Sequence, residues 1–289
     1  MVEDGADGLA ELSSRLFPHT GRAWTIGLTG SPGVGKSTLA AALVRTVRER
    51  GLSVAVLAID PTSPFSGGAL LGDRLRMQEH ATDPGVFIRS MATRGHLGGM
   101  ALAAPEAVRI LDASGKDVVI VETVGVGQAE VDVAAATDTT LVVVAPGWGD
   151  AVQVAKAGIL EIADVFVVNK ADREGADAAL RDLEQMLRLG PELWWTPPVV
   201  RVTAASGEGV TDLWASIEDH RSALEGSERV REGRGSRLLR EVESLTVEEL
   251  RGRIRHLLAT DHELSGDLLE RRTDPYRAAA LLMERAMRP

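Results

Sequence analysis

The segment from Gly30 to Ser37 has the residue types and spacing of a loop that binds phosphate. It fits the pattern G-x-x-x-x-G-K-S between an apolar run at 24–29 and a helical pattern at 38–50. Glycines let successive backbone N–H groups point at a phosphate, and the start of a helix adds partial positive charge. A glycine-rich turn before an ordinary helix is the alternative, but the strand–loop–helix context favours a nucleoside triphosphate site. The predicted contacts are Gly30, Ser31, Pro32, Gly33, Val34, Gly35, Lys36, Ser37 and Thr38.

Two roles follow from side chains in this loop. Lys36 would place a compact cation on the outer phosphates, and the Ser37 hydroxyl is suited to bind magnesium. The magnesium role of Ser37 also needs carboxylates nearby to complete the metal site.

Two apolar stretches that read as buried strands end in such carboxylates. Asp60 follows residues 53–59, and Glu122 ends residues 117–122. Acids at the carboxyl ends of parallel strands lie on the ligand-binding side of an open α/β sheet. Asp60 is therefore a candidate for the magnesium shell, with a turn or helix-capping role as the alternative. Glu122 precedes Gly125, whose N–H is expected at the γ-phosphate, in an arrangement like a Walker B motif.

Asn169-Lys170-Ala171-Asp172 follows another predicted strand, at 165–168, and matches the guanine-reading pattern N-K-x-D. The Asp172 carboxylate can accept two hydrogen bonds from guanine that adenine cannot offer, so a site built this way discriminates strongly. A helix cap is the alternative for these four residues. Thr203 and Ala204 begin a loop, after the last predicted strand at 199–202, that is expected to close over the base.

The predicted architecture is an α/β P-loop NTPase with a mostly parallel sheet flanked by helices, plus a C-terminal helical extension. A short helical lead-in occupies 1–21, the GTPase domain 22–210 and a helical dimerisation region 211–289. Residues 62–100 form a glycine-rich segment that is expected to act as a switch. Asp73 and Arg94 are the charged residues of this segment that are the strongest candidates for a functional role. Apolar positions repeat at helical spacing through 228–260, and a partner subunit is a candidate to cover them.

Composition limits the classes of function. The 289 residues carry a net charge of -10, which argues against a duplex nucleic-acid partner, and they include no cysteine. The six histidines form no pair at i,i+4 spacing, so a metal-carrier site is not predicted. An acidic N-terminus and the lack of a long apolar run predict neither a signal peptide nor a membrane span, and the cytoplasm is the expected location.

The motifs together resemble those of the MeaB/ArgK/MMAA family of P-loop GTPases, from about Leu16 to the C-terminus. The matching strings are T-G-S-P-G-V-G-K-S-T at 29–38, I-D-P-T-S-P at 59–64, G-D-R-L-R-M at 72–77, R-S-M-A-T-R-G at 89–95, V-E-T-V-G-V-G-Q at 121–128, I-L-E-I-A-D at 159–164 and V-N-K-A-D at 168–172. E-T-V-G-V-G-Q and R-S-M-A-T-R-G are far more specific than a phosphate loop alone. Two departures are a short stretch before Leu16, where the family usually has a longer helical extension, and Trp148, where a smaller residue is common.

The resemblance implies a homodimeric GTPase that chaperones an adenosylcobalamin-dependent acyl-CoA mutase, chiefly methylmalonyl-CoA mutase. Such a protein gates cofactor loading and protects or reactivates the mutase. It also implies site residues: Ser37, Asp60, Asp73 and Glu122 for Mg²⁺; Lys36, Asp60, Glu122 and Gln128 for GTP hydrolysis; Asn169, Lys170 and Asp172 for guanine, with Thr203 and Ala204 nearby; and Arg94, Gln128 and Lys156 for relaying nucleotide state.

Hydrolysis is expected to be slow without a partner, because no arginine finger is evident in the sequence. Two alternatives remain. A metal-insertion GTPase of the same branch would predict Cys/His clusters, and a kinase-like phosphotransferase would need an acceptor site, which the sequence does not reveal.

Overall fold

The computed structural model describes residues 8–60, 80, 82–92, 103–123, 129–147, 161–190 and 193–287. Within these ranges it contains a seven-stranded sheet in the order β3-β2-β4-β1-β5-β6-β7, and every neighbouring pair is parallel. The strands are β1 Trp24–Thr29, β2 Val54–Asp60, β3 Val86–Ala92, β4 Val118–Thr123, β5 Thr139–Val144, β6 Val165–Asn169 and β7 Val199–Val202. The predicted α/β fold class is confirmed.

The central strands form because they are short runs of β-branched and apolar residues that are buried on both faces. All residues of β1, β4, β5 and β6 are buried. The register pairs Leu28 of β1 with Glu122 of β4 and with Leu141 of β5. The carboxyl ends of these strands therefore reach the same edge of the sheet.

Helices cover both faces of the sheet in the described residues. They are α1 Leu9–Leu16, α2 Lys36–Glu49, α3 Ala103–Ala113, α4 Ala129–Ala136, α5 Ala176–Leu189, α6 Val210–Glu225, α7 Arg229–Thr260, α8 His262–Leu269 and α9 Pro275–Ala286, with a 3₁₀ turn at Phe17–His19. Val118 and Ile120 of β4 pack with α2 and α6, whereas Val119 and Val121 pack with α3 and α4. The period of two along β4 thus divides the core between the two helical layers.

The chain divides into two compact units, Met1–Arg234 and Gly235–Pro289, so the division lies later than the predicted boundary at 210/211. The reason is α6, which was assigned to the C-terminal extension. Its side chains Leu213 and Ile217 are fully buried in the same core cluster as α2. An amphipathic helix of this kind belongs to the domain that covers its apolar face.

The strand β3 was not predicted, because residues 62–100 were interpreted as one glycine-rich switch segment. β3 forms the edge of the sheet beside β2, and it is polar at Arg89 and Ser90. An edge strand needs less apolar sequence than a central one, so its pattern was weak. The sequence predictions also concern Asp73, Arg94, Gly125, Gln128, Trp148 and Lys156, which lie outside the described residues.

The second unit has a small core of its own, formed by Leu264, Ala278 and Leu282 against Ile254 and neighbouring leucines. Asp261 caps α8 by accepting from the N–H of Leu264, and Asp274 caps α9. Across the described parts of the chain, no helix combines the length and the apolar character needed to cross a membrane.

Candidate nucleotide-binding site

The phosphate loop connects β1 to α2, and two of its glycines lie close against neighbouring residues. Gly30 has φ 133°, and a Cβ there would lie far inside van der Waals contact with the carbonyl oxygen of Val143 in β5. Gly35 has φ 97°, and a Cβ there would lie 2.5 Å from Nδ2 of Asn169. Glycine is therefore required at both positions by conformation and by space.

Lys36, the first residue of α2, lies across this loop. Its Nζ donates to the carbonyl oxygen of Gly30 at 2.6 Å and to that of Ser31 at 3.1 Å, and the residue is only 6% exposed. The cation is thus held inside the loop by carbonyl groups. A phosphate in the loop would offer this ammonium a stronger, charge-assisted partner.

Ser37 and Glu122 meet beside Lys36. The Ser37 hydroxyl donates to Oε1 of Glu122 at 2.7 Å, and both residues are buried. Two neighbouring oxygen ligands on an octahedral Mg²⁺ are about 2.9 Å apart, so these two oxygens are already spaced as a pair of metal ligands. Asp60 ends β2, whose Ala58 is in register with Glu122, so its backbone reaches the same edge. The residue types and this spacing fit Mg²⁺.

Asn169 joins the two loops that flank the expected base site. Its Nδ2 donates to the carbonyl oxygen of Val34 at 2.8 Å, and its Oδ1 accepts from the N–H of Ala204 at 3.1 Å. The residue is 2% exposed. Sequence reasoning grouped Asn169 with the guanine-reading residues, but its amide is committed to the backbone, so it positions the phosphate loop against the loop after β7.

Lys170 and Asp172 present their side chains differently. Lys170 has φ 57°, a left-handed conformation, and its Nζ donates to the carbonyl oxygen of Gly33 at 2.6 Å. Asp172 is exposed and lies in the turn that follows Lys170. This leaves the Asp172 carboxylate accessible to a base bound beside Lys170.

The loop after β7 is closed by its own backbone. The N–H of Thr203 donates to Glu208 at 2.9 Å, and the N–H of Gly207 donates back to the Thr203 carbonyl at 3.0 Å. Ala204 is buried under it and bonded to Asn169. The structure therefore brings together residues 30–38, Glu122, Asn169, Lys170, Thr203 and Ala204. Sequence reasoning missed the support that Val143 gives to Gly30, because a backbone contact leaves no motif.

A second polar cluster lies at the opposite, amino-terminal ends of the strands. His220 of α6 is 1% exposed, with Nδ1 at 3.0 Å from Oγ1 of Thr139 and Nε2 at 3.2 Å from Oδ1 of Asp164. Trp24 donates to the same Thr139 oxygen at 3.0 Å. Burial raises the pKa of Asp164 to about 7 and lowers the pKa of His220 to about 4. This pair is too far along the strands to belong to the nucleotide site.

The described residues contain no group of three or more His, Cys, Asp or Glu side chains that could hold a metal ion. The magnesium interpretation therefore depends on Ser37 and Glu122, with substrate oxygens and water as the remaining ligands that Mg²⁺ normally retains.

Comparison with known proteins agrees with this geometry. A family model described as methylmalonyl-CoA mutase-associated GTPase MeaB matches residues 3–258. The chain is 48% identical to a protein named as a GTPase from Pyrococcus abyssi, over 98% of this chain and 90% of that protein. It is 39% identical to the mitochondrial methylmalonic aciduria type A homologue of Mus musculus, over 72% of this chain and 51% of that protein.

A solved structure described as a LAO/AO transport system kinase has the same fold. It superposes with a TM-score of 0.70 and 28% identity, over 95% of this chain and 85% of that chain.

Proposed function

Since the chain belongs to the family of methylmalonyl-CoA mutase-associated GTPases called MeaB, we propose that it binds GTP with Mg²⁺ and hydrolyses it to GDP and phosphate. The observation that carries this proposal is the contact of Ser37 with Glu122 at 2.7 Å beside a loop whose lysine is held inward. Asn169 joins the phosphate loop to the loop after β7, and Ser37 joins the phosphate loop to Glu122 of β4, which supports one continuous site.

The residues divide the chemistry of hydrolysis among themselves. Lys36 exchanges its two carbonyl partners for phosphate oxygens, and the loop N–H groups hold the remaining charge. Ser37 and Glu122 would hold Mg²⁺, together with Asp60 and Asp73. When bound, this ion neutralises charge that develops between the β- and γ-phosphates. Gln128 and the N–H of Gly125 are proposed to act on the γ-phosphate side.

The base is proposed to lie beside Lys170. In that place the exposed Asp172 carboxylate accepts two hydrogen bonds from guanine, while Thr203 and Ala204 close the opposite side. An adenine would leave the carboxylate without donors, which is a large penalty once the base excludes water.

The proposed biological role is that of a chaperone for an adenosylcobalamin-dependent acyl-CoA mutase, with methylmalonyl-CoA mutase first among the candidates. Support comes from the description of the family and from the methylmalonic aciduria relative in mouse. Arg94, Gln128 and Lys156 are proposed to relay nucleotide state to the mutase, and the cytoplasm remains the predicted location.

A homodimer is proposed through the C-terminal helices. Leu239, Val242 and Leu245 of α7 are all exposed in the single chain, and no residue of α7 is buried. A second copy that covered these side chains would remove a continuous apolar stretch from water.

The experiment that tests this function is GTP turnover with and without a purified cobalamin-dependent mutase from the same source, with ATP as the control nucleotide. We expect slow turnover of GTP alone, faster turnover with the mutase and little turnover of ATP. If GTP is hydrolysed but no such mutase changes the rate, the protein is a GTPase and the proposed chaperone role is wrong. Failure to bind GTP would remove both.

A phosphotransferase is the second candidate, because the solved structure of similar fold is described as a transport system kinase. A metal-insertion GTPase is a further alternative from the sequence. GTP labelled at the γ-phosphate distinguishes the proposed GTPase from a phosphotransferase. A GTPase releases the label as inorganic phosphate, whereas a kinase transfers it to an acceptor. Metal binding in the absence of nucleotide would support the metal-insertion GTPase.

A further inference from the structure

The helix α3 begins shortly after residues 62–100, which the sequence predicts to act as a switch. The helix α4 begins directly after Gln128, to which the family resemblance gives a role in relaying nucleotide state. Their carboxyl ends, at Asp112 and at Asp138, meet at the amino-terminal edge of the sheet. Asp112 accepts from the backbone N–H groups of Arg22 and Ala23, at 3.1 and 2.8 Å, just before β1. Asp138 accepts from the N–H and the hydroxyl of Thr25, at 3.1 and 2.9 Å. The start of the strand that carries the phosphate loop is therefore held by the ends of both helices.

The end of α4 is also packed tightly on β1. Gly27 leaves no space for a side chain, because a Cβ there would lie 2.6 Å from Oγ1 of Thr137. That hydroxyl donates to the carbonyl oxygen of Val133 at 2.8 Å, one turn earlier in α4. A displacement of α4 along β1 would therefore move Asp138 with it, since Asp138 is the next residue of the chain.

Arg234 of α7 connects this region to the C-terminal helix. Its guanidinium binds Asp138 through two contacts, Nε to Oδ1 at 3.1 Å and Nη2 to Oδ2 at 2.8 Å. The same group donates to the carbonyl oxygens of Gly21 and Ala23 and lies 5.9 Å from the ring of Trp24. The Asp138 side chain is 2% exposed and that of Arg234 is 28% exposed, so the carboxylate is removed from water and the guanidinium is half-buried. A planar guanidinium suits this task because it can serve several acceptors at once.

We propose that Asp138 and Arg234 are positioning residues that couple the nucleotide state felt by α4 to the first turns of α7. The proposal rests on the proposed GTP-binding function. α7 continues past Arg234 as one helix, to Thr260, into the C-terminal unit. A change at the Asp138–Arg234 contact therefore acts on the helix that leads into that unit. Both residues contact the start of β1, at the end of that strand opposite to the phosphate loop.

Thermodynamic reciprocity supplies the test. If the contact is stronger with one nucleotide than with the other, its removal must change the ratio of affinities for a non-hydrolysable GTP analogue and for GDP. We expect Arg234→Ala to change this ratio about fivefold or more, measured by calorimetry at fixed Mg²⁺. Asp138→Asn, which retains one oxygen acceptor for Thr25, is expected to change the ratio in the same direction. The double variant is expected to change the ratio no more than Arg234→Ala does.

Arg231→Ala is the matched control, because Arg231 lies on the same helix and is exposed. If Arg234→Ala fails to fold, Arg234→Lys replaces it, because lysine retains the charge but its three N–H donors cannot reproduce the two contacts to Asp138 together with those to both carbonyl groups. A second measurement is hydrogen exchange of the amides at 230–240. In the wild type these should differ between the two nucleotide states, and in the Arg234 variant the difference should disappear.

A merely structural role predicts that both affinities fall equally, with an unchanged ratio, and this result would overturn the coupling. Additive changes in the double variant would also overturn it, because the two residues would then act separately. The wild type distinguishes failure of the coupling from failure of the proposed GTP-binding function. If the wild type binds both nucleotides and the substitutions leave the ratio of the two affinities unchanged, only the coupling is refuted. If the wild type binds no guanine nucleotide, the proposed function is refuted as well.

Discussion

The hydroxyl of Ser37 donates a 2.7 Å hydrogen bond to the carboxylate of Glu122, although the two residues are far apart in the chain. The contact exists because β1 and β4 are neighbours in register, with Leu28 opposite Glu122. It places one oxygen from the phosphate loop and one from the next strand at the spacing of two metal ligands.

We expect Ser37→Ala and Glu122→Gln each to weaken Mg²⁺-dependent binding of GTP by about 10- to 100-fold, the range typical when groups that hold or orient a metal are altered. Nucleotide binding in the presence of EDTA should change much less. Ser216→Ala is the control, because that hydroxyl is exposed and bonded only to its own helix at Asp212. Equal losses with and without Mg²⁺ would contradict the metal role. Calorimetry under both conditions measures the effect.

Gly30→Ala and Gly33→Ala distinguish the steric effect of a new side chain in the phosphate loop from the conformational cost of a positive φ. Both glycines have positive φ, so both substitutions carry the penalty of a left-handed alanine, about 1–2 kcal/mol. Only at Gly30 would the new Cβ press on the backbone of Val143, whereas nothing lies within 4 Å at Gly33. We therefore expect Gly30→Ala to abolish nucleotide binding and Gly33→Ala to weaken it moderately. Similar affinities for the two variants would show that the Val143 contact is unimportant.

Asn169 and Asp172 should respond differently to substitution. Asn169→Ala leaves the buried Val34 carbonyl and Ala204 N–H without their partner, which costs about 1–3 kcal/mol for each group. We expect lower thermal stability and an equal loss of affinity for every nucleotide. Asp172→Asn should instead change base preference from guanine towards xanthine, because an amide N–H can donate to the oxygen that replaces the exocyclic amine.

Binding of GTP, xanthosine triphosphate and ATP to both variants checks this distinction. Ser206→Ala is a suitable control in the same region, since its hydroxyl donates to the Thr203 carbonyl oxygen and accepts from the N–H of Glu208, both within the same exposed loop. A change of base preference in Asn169→Ala would contradict the positioning role of that residue.

The buried pair of Asp164 and His220 makes a prediction about pH. His220 has a pKa of about 4 when folded against 6.5 otherwise, so the unfolded chain binds more protons and stability from this group is lost as pH falls from 6.5 to 4. Asp164 has a pKa of about 7 when folded against 3.8, so its contribution is lost as pH rises from 3.8 to 7. Between pH 4 and 6.5 the two slopes have opposite signs and cancel.

Removal of one member should therefore reveal the other. We expect the free energy of unfolding of Asp164→Asn to fall by about 3 kcal/mol from pH 6.5 to 4, relative to the wild type. His220→Gln should become more stable as pH falls over the same range. Urea denaturation at several pH values measures both slopes. If both variants show the same dependence of unfolding free energy on pH as the wild type, Asp164 and His220 do not control that dependence.

Much of the site was predictable because its chemistry is local in the chain. Glycines, Lys36 and Ser37 are consecutive or nearly so, and N-K-x-D is a run of four residues, so their types and spacing could be interpreted before any fold was known. The strands were predictable as well, because each central strand is a short apolar run buried on both faces.

The contacts between these motifs were decided only by tertiary structure. The hydrogen bonds of Asn169 to Val34 and Ala204, and those of Arg234 to Asp138, join residues from separate elements, and no residue type or spacing in the sequence indicates such a pair. The edge strand β3 and the assignment of α6 to the first unit were also missed, because burial against a neighbour depends on which elements meet. Sequence therefore determined which groups this protein can use, and the parallel order of the strands determined which of those groups meet.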